Sequence, residues 1–154
     1  SAAQQGRTGA LDDAAANDGF NLVTQQTAEW NAEKAQQIVQ SVIDAGTPFN
    51  VIYAENDDMA KGAVAALDKA NISHGVGKDV IVMGFDCNKW ALEELKAGNW
   101  NYDGQCNPFQ VSYIDDIIKK LESGETISEK TIIMDEKGFD ATTITQEDVD
   151  NYGI

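Results

Sequence analysis

The sequence predicts an α/β fold: a mostly parallel sheet with helices on both faces, joined by right-handed crossovers. Three observations carry that prediction. Short apolar runs alternate with amphipathic stretches in the order αβαβαβαβαβ. Asn50 to Leu67 holds a complete strand, turn and helix. Asp79 to Phe85 (Asp-Val-Ile-Val-Met-Gly-Phe) reads as the clearest buried strand and ends on Asp86. Parallel neighbours need long crossovers, and helices of this length supply them.

The elements follow in order. Ala2 to Asn17 is Ala-rich and helix-favouring. Asn17-Asp18-Gly19 ends it. Phe20 to Thr24 reads as a strand, with Asn21 interrupting the pattern. Thr27 to Asn31 is a polar loop carrying one large aromatic, Trp30. Ala32 to Ala45 places Ala35, Ile38, Val39, Val42 and Ile43 on one helical face. Gly46 stops it and Pro48 prevents its continuation. Val51 to Ala54 is the next strand, ended by Asn56, Asp57 and Asp58, with Asp57 the expected N-cap. Met59, Ala63, Ala66 and Leu67 form the apolar face of the helix that follows.

Asn71 to Lys78 is a turn-rich loop. Its Gly75-Val76-Gly77-Lys78 lacks the upstream glycine of a phosphate loop and precedes a strand. Trp90 to Ala97 is a short helix with Leu92 and Leu95 inward, and Gly98 stops it. Asn99 to Gln105 is a more exposed strand that ends at Cys106-Asn107-Pro108. Phe109 to Leu121 turns Val111, Ile114, Ile117, Ile118 and Leu121 to one side. After the Ser123-Gly124-Glu125 turn, Lys130 to Met134 reads as a strand, and Thr145 caps a last short helix.

The 154 residues suffice for a single domain, residues 1–154. Eleven Lys and Arg against 26 Asp and Glu give a net charge of −15, which opposes a direct nucleic-acid or anionic-membrane surface. The acidic residues are dispersed, as a solvated face requires. No apolar run approaches the ~20 residues of a membrane span. Ser1-Ala2-Ala3 leads straight into helical sequence, so the expectation is a chain cut from a longer protein. The absence of a visible signal peptide therefore says little about compartment. Cys87, Cys106 and His74 lack zinc-site spacing, and no metal or cofactor is expected. Both cysteines follow strands; two unpaired, half-buried thiols and a disulfide at the sheet edge are both open.

What ends or follows the strands carries the chemistry. Trp30 follows the first strand, Asn56 the second, Asp86 the third, and Gln105 with Cys106 the fourth; Arg7 lies near the start of the first helix. In a parallel sheet these gather along one rim, where ligands sit. The set offers an acceptor, two amides, a five-donor fork and an indole face. That suits a neutral, hydroxyl-rich ring, bound bidentately through adjacent hydroxyls and stacked on its C–H face. It suits catalysis poorly, with no nucleophile beside a base and no metal cluster. Asp86 with Asp57 resembles a glycosidase pair only if Asp57 is not spent as a cap. Bland roles stay open for each: Asn56 and Asp57 as strand terminator and cap, Trp30 as core, Arg7 ion-paired with Asp12 or Glu55, Asp86 capping the helix near Asn88.

The run Val51-Ile52-Tyr53-Ala54-Glu55-Asn56-Asp57-Asp58-Met59-Ala60, then Gly62-Ala63, resembles the periplasmic sugar-binding proteins of ABC transporters. The ribose, galactose and galactofuranose-binding group is the nearest in look. Val82-Met83-Gly84-Phe85-Asp86 matches that family's strand ending in a sugar-binding aspartate, and Cys106-Asn107-Pro108 matches its crossover between lobes. The resemblance implies a Rossmann-like three-layer sandwich, the carboxyl-terminal lobe of the periplasmic-binding-protein-like I fold. It implies sugar-binding roles for Arg7, Asn56 and Asp86, with Trp30 as the stacking aromatic. The ribose type carries glutamine at the position of Cys106, so this chain departs there, and Gln105 or Asn107 is left to substitute.

By the same resemblance, the function is reversible, non-covalent binding of a monosaccharide, pentose or hexose, between two lobes, without catalysis. The implied partners are the transporter permease and an amino-terminal lobe. The implied location is extracytoplasmic, in the periplasm or as a lipoprotein, touching membrane only through the transporter or a lipid anchor. The segment 109–134 crosses back to the other lobe in the family; here its apolar face would fold onto this domain or drive association into a homo-oligomer. The effector-binding domain of a LacI-type repressor shares the fold and is the alternative. A helix-turn-helix upstream would decide for it, and a signal peptide or lipobox would decide for transport.

Overall fold

The computed structural model describes residues 1–154. Six helices and four strands run in the order α1 (Ala2–Asn17), α2 (Ala32–Asp44), β1 (Val51–Tyr53), α3 (Asp57–Lys69), β2 (Ile81–Asp86), α4 (Lys89–Lys96), β3 (Tyr102–Gln105), α5 (Val111–Glu122), β4 (Gly138–Asp140) and α6 (Gln146–Tyr152). The sheet has the order β1-β2-β3-β4. β1, β2 and β3 are parallel, with Tyr53 opposite Met83 and Asp86 opposite Gln105. β4 closes the far edge antiparallel to β3. This is the mixed α/β, mostly parallel architecture that the alternation predicts.

The core lies between the sheet and α3, α4 and α6. Ala60, Leu67, Val82, Ala91, Leu92, Leu95 and Val149 are completely buried there, with Trp100 almost so. Trp90 meets Trp100 edge to face, with ring centroids 5.9 Å apart. Small residues let α3 approach closely. A Cβ on Gly62 would stand 2.0 Å from the Ala32 carbonyl oxygen, so glycine is what allows α2 and α3 to touch.

Two expected strands do not form. Phe20 to Thr24 joins no ladder. An apolar cleft of about 610 Å³ separates it from β1, lined by residues of α1, α2 and β1. Lys130 to Met134 likewise has no partner, and Ile133 is 89% exposed. β-branched residues make these stretches strand-prone, but a strand needs a neighbour to bond. The sequence reading missed β4, because three residues show no period. Gly138 is required in it: a Cβ there would lie 1.6 Å from the Tyr102 hydroxyl. α5 forms as expected but buries no residue; Phe109, Val111, Ile114, Ile118 and Leu121 are all exposed.

Candidate functional site

The rim at the carboxyl ends of β1, β2 and β3 is built from five segments. α1 starts with a capping box in which Ser1 accepts from the Gln4 amide. Two turns in, it brings Arg7 over that rim. One Arg7 nitrogen donates to the Glu55 carbonyl and the other to Asp86 Oδ1 at 3.0 Å. The guanidinium also stands 4.8 Å above the Phe85 ring. Tyr53 donates its hydroxyl to the Arg7 carbonyl at 3.0 Å, and Thr8 donates to the Glu55 carboxylate. Arg7 therefore pairs with neither the Asp12 nor the Glu55 carboxylate.

Asp86 ends β2 and does not cap α4, whose N-cap is Asn88 with no side-chain cap bond. Burial pushes its carboxyl above the ordinary range, and the Arg7 hydrogen bond and charge pull back against that. Asp86 and Cys87 hold the backbone at φ 113° and 60°, a conformation L-residues seldom adopt. Such strain persists only where the surroundings over-determine it, and it turns the Asp86 side chain toward Arg7.

Asn56, and not Asp57, is the N-cap of α3. Its Oδ1 accepts from the Met59 amide at 2.9 Å. Asp57 is completely buried, and its Oδ2 accepts from the Asn88 amide at 2.8 Å and from Asn88 Nδ2 at 3.1 Å. So Asp57 serves the start of α4 rather than its own helix. Gln105 lies opposite Asp86 in the ladder and exchanges bonds with Lys137, its Oε1 accepting from the Lys137 amide at 3.2 Å. Trp30 projects from a tight turn with φ 61° and is 41% exposed, so it is not core. It lines the apolar cleft, as Ala54 and Glu55 do.

Both cysteines are free; Cys87 is buried and Cys106 exposed. Burial drives the Cys87 thiol far above its ordinary value, which removes it as a nucleophile. Asp86 and Asp57 cannot act as a glycosidase pair, because Asp57 has no exposed surface. His74 is tied between the Asn99 carbonyl at 2.8 Å and Asp68 Oδ1 at 3.1 Å, away from the rim.

The structure thus brings Arg7, Asp86 and Gln105 to one edge, with Asn56, largely buried, just past the end of β1, while Trp30 lines the apolar cleft. Cys106 follows them as an exposed residue. The sequence reading missed Phe85, Tyr53 and the Glu55 carbonyl as the seat of Arg7, although Phe85 lies beside Asp86 in the very motif that marks the strand end. It also missed Asp103, buried beneath the rim.

Fold and rim together define an open α/β domain with a polar edge where its parallel strands end. The chain belongs to the periplasmic binding protein family: the family model described as periplasmic binding protein domain matches residues 1–114. Among curated relatives, it is 31% identical over 132 residues to the fructose import binding protein FruE of Bifidobacterium longum, covering 84% of this chain and 38% of that protein. It is also 31% identical over 131 residues to a putative rhizopine-binding protein of Rhizobium meliloti, covering 82% and 41%. An ABC transporter periplasmic solute-binding protein of Actinobacillus succinogenes with bound D-allose superposes with a TM-score of 0.74 at 29% identity, over 94% of this chain and 48% of that one. A galactofuranose-binding protein at 21% identity shares the fold, with a TM-score of 0.79. The chain spans less than half the length of these relatives.

Proposed function

We propose that this chain is the sugar-binding lobe of the substrate-binding component of an ABC importer, holding a monosaccharide reversibly and without catalysis. The observation that supports it best is the Arg7–Asp86 pair, seated on Phe85 at the strand ends beside Asn56 and Gln105. Arg7 and Asp86 hold each other directly, so adjacent hydroxyls of one ring would meet the second Asp86 oxygen and the remaining Arg7 N–H groups beside the pair. Asn56 is 8% exposed and spends only its oxygen on the α3 cap, so its Nδ2 is the one group it has left to donate. Trp30 offers the apolar face on which a sugar ring stacks.

The relatives named above are import and solute-binding proteins, which favours transport over the repressor reading. In this reading Gln105 replaces the family glutamine one position on, and Cys106 only flanks the ring. The other half of the sugar site and of the permease contact comes from a second lobe. The protein works outside the cytoplasm, and no helix here is long and apolar enough to cross a membrane.

The test is amide NMR of this chain titrated with ribose, allose, fucose, fructose and galactose to roughly 50 mM, which reads even a millimolar affinity worth about 4 kcal/mol. The expected result is saturable shifts at Arg7, Trp30, Asn56 and Asp86, lost in Asp86→Ala. Saturable shifts confined to other residues, or a response to every sugar that survives Asp86→Ala, would overturn the reading.

A further inference from the structure

Two buried carboxyls have no role in the rim chemistry. Asp57 in the first turn of α3 and Asp103 in the middle of β3 both have no exposed surface. Asp103 lies opposite Gly84 in the ladder, so positions 84 and 103 face the same side of the sheet. A Cβ on Gly84 would stand 2.7 Å from Asp57 Oδ1. The Asp57 carboxyl therefore fills the space over Gly84, beside that of Asp103.

The hydrogen-bond account does not close if both are ionised. Asp57 Oδ2 takes the two Asn88 donors, and Asp103 Oδ1 takes the Cys87 thiol at 3.8 Å. Asp57 Oδ1 and Asp103 Oδ2 are left buried with no donor. Carboxylates only accept, so two such oxygens side by side are costly. One proton resolves it, since a protonated carboxyl donates to its neighbour. Asp57 Oδ1 sits over Gly84, and Asp103 is the ladder partner of Gly84, so the two carboxyls are neighbours on one face of the sheet.

We propose that Asp57 and Asp103 share a single proton, and that the protonated pair is a positioning element that holds residues 86–88 so that Asp86 meets Arg7. Asp57 grips Asn88, Asp103 grips Cys87, and the left-handed Asp86–Cys87 backbone is suspended from those two grips. The sugar-binding role of Asp86 rests on the function proposed above; the shared proton does not. The titratable groups facing the pair are Asp86 and Cys87, both from the end of β2. Arg7 is already engaged by Asp86, so no cation stands ready to offset a second buried charge. Burial pushes both carboxyls upward, and Asp57 beside it pushes Asp103 further.

The sign follows from linkage. A carboxyl that keeps its proton folded and loses it unfolded stabilises the fold at low pH, and that stability drains away as pH rises. Per shared proton, the unfolding constant rises up to about tenfold per pH unit from the ordinary carboxylate range into alkaline pH. Asp103→Asn puts an N–H permanently where the proton sits. Urea unfolding between about pH 5 and pH 9 is expected to show that this variant lacks the extra slope while matching the unsubstituted chain near neutrality. Infrared spectra of the chain with carboxyl-labelled aspartate are expected to show a protonated buried carboxyl at neutral pH, absent in Asp103→Asn. NMR of the Arg7 side chain is expected to move at alkaline pH in the unsubstituted chain and to hold still in Asp103→Asn.

A spectrum with no protonated carboxyl, or equal pH slopes in the two chains, would overturn the shared proton. Arg7 signals that hold still while the pair ionises would overturn its positioning role. The infrared measurement needs only the unsubstituted chain, so a variant that fails to fold does not block the test. Absence of any sugar response with the carboxyl band present would sink the sugar reading and leave this one standing.

Discussion

Arg7→Ala should release α1 from the domain. The 16-residue helix buries no residue of its own and has no apolar stripe facing the core. An isolated helix of this length is marginal in water. What ties it down is mainly one side chain: an ion pair to Asp86 at 3.0 Å with side chains 12% and 29% exposed, a bond to the Glu55 carbonyl, and the Phe85 face. A charge-assisted hydrogen bond contributes about 1.5–3 kcal/mol net and a cation–π contact about 0.5–2 kcal/mol. These are not additive, and the Tyr53 and Thr8 bonds survive, so the loss is about 2–4 kcal/mol. Amide exchange in α1 should then quicken roughly 30- to 700-fold, at tenfold per 1.4 kcal/mol, with β2 and α3 little changed. Arg7 also holds the Asp86 pKa down against burial, so the defect should shrink on acidification, as Asp86 takes up a proton and no longer needs the cation. Unchanged α1 protection, or a defect that grows as pH falls, would refute the anchoring argument.

Gly84→Ala forces a methyl to within 2.7 Å of Asp57 Oδ1 and 2.8 Å of the Trp100 ring. Urea unfolding should show a loss of about 1–3 kcal/mol from overpacking. At Asn56 the cap and the proposed donor can be separated. Asn56→Asp keeps an oxygen for the Met59 amide and should leave stability within about 0.5 kcal/mol, whereas Asn56→Ala should cost about 1 kcal/mol. Both should lose the sugar-induced NMR shifts; retention of those shifts in Asn56→Asp would count against Nδ2 as a sugar donor. Ile114→Glu with Ile118→Glu, on the uncovered face of α5, should change stability by less than about 0.5 kcal/mol and lower any self-association seen by light scattering.

The central strand and helix were readable because each obeys a period that its final burial justifies. Val82 and Leu67 are buried where the pattern put them. The capping residue was not readable between Asn56 and Asp57, because both are good N-caps and only tertiary structure chooses. Asn88, thirty-one residues from Asp57, decides it by offering two donors. Arg7 and Asp86 are 79 residues apart, and nothing local in either marks the pair; the strand-end argument and the family resemblance were what placed them together. Asp103 was invisible for the opposite reason. A lone acid in a short, polar strand reads as exposed, and only the neighbouring Gly84 leaves room to bury it beside a second acid.

The elements that disagree with the pattern share a cause. Phe20 to Thr24, Lys130 to Met134 and α5 carry apolar spacing suited to burial, yet each lies open. The chain exposes 9529 Å², against about 7,600 Å² for a compact monomer of its mass. An apolar cleft of about 610 Å³ beside the free edge of β1 is the matching deficit on the receiving side. Sequences that fold cleanly agree between local pattern and global burial. A covering surface at these three places is what the proposed two-lobed reading would supply. On the proposed reading, a ring held by one lobe alone would keep half its surface in water, and the weak affinity expected of this chain follows from that.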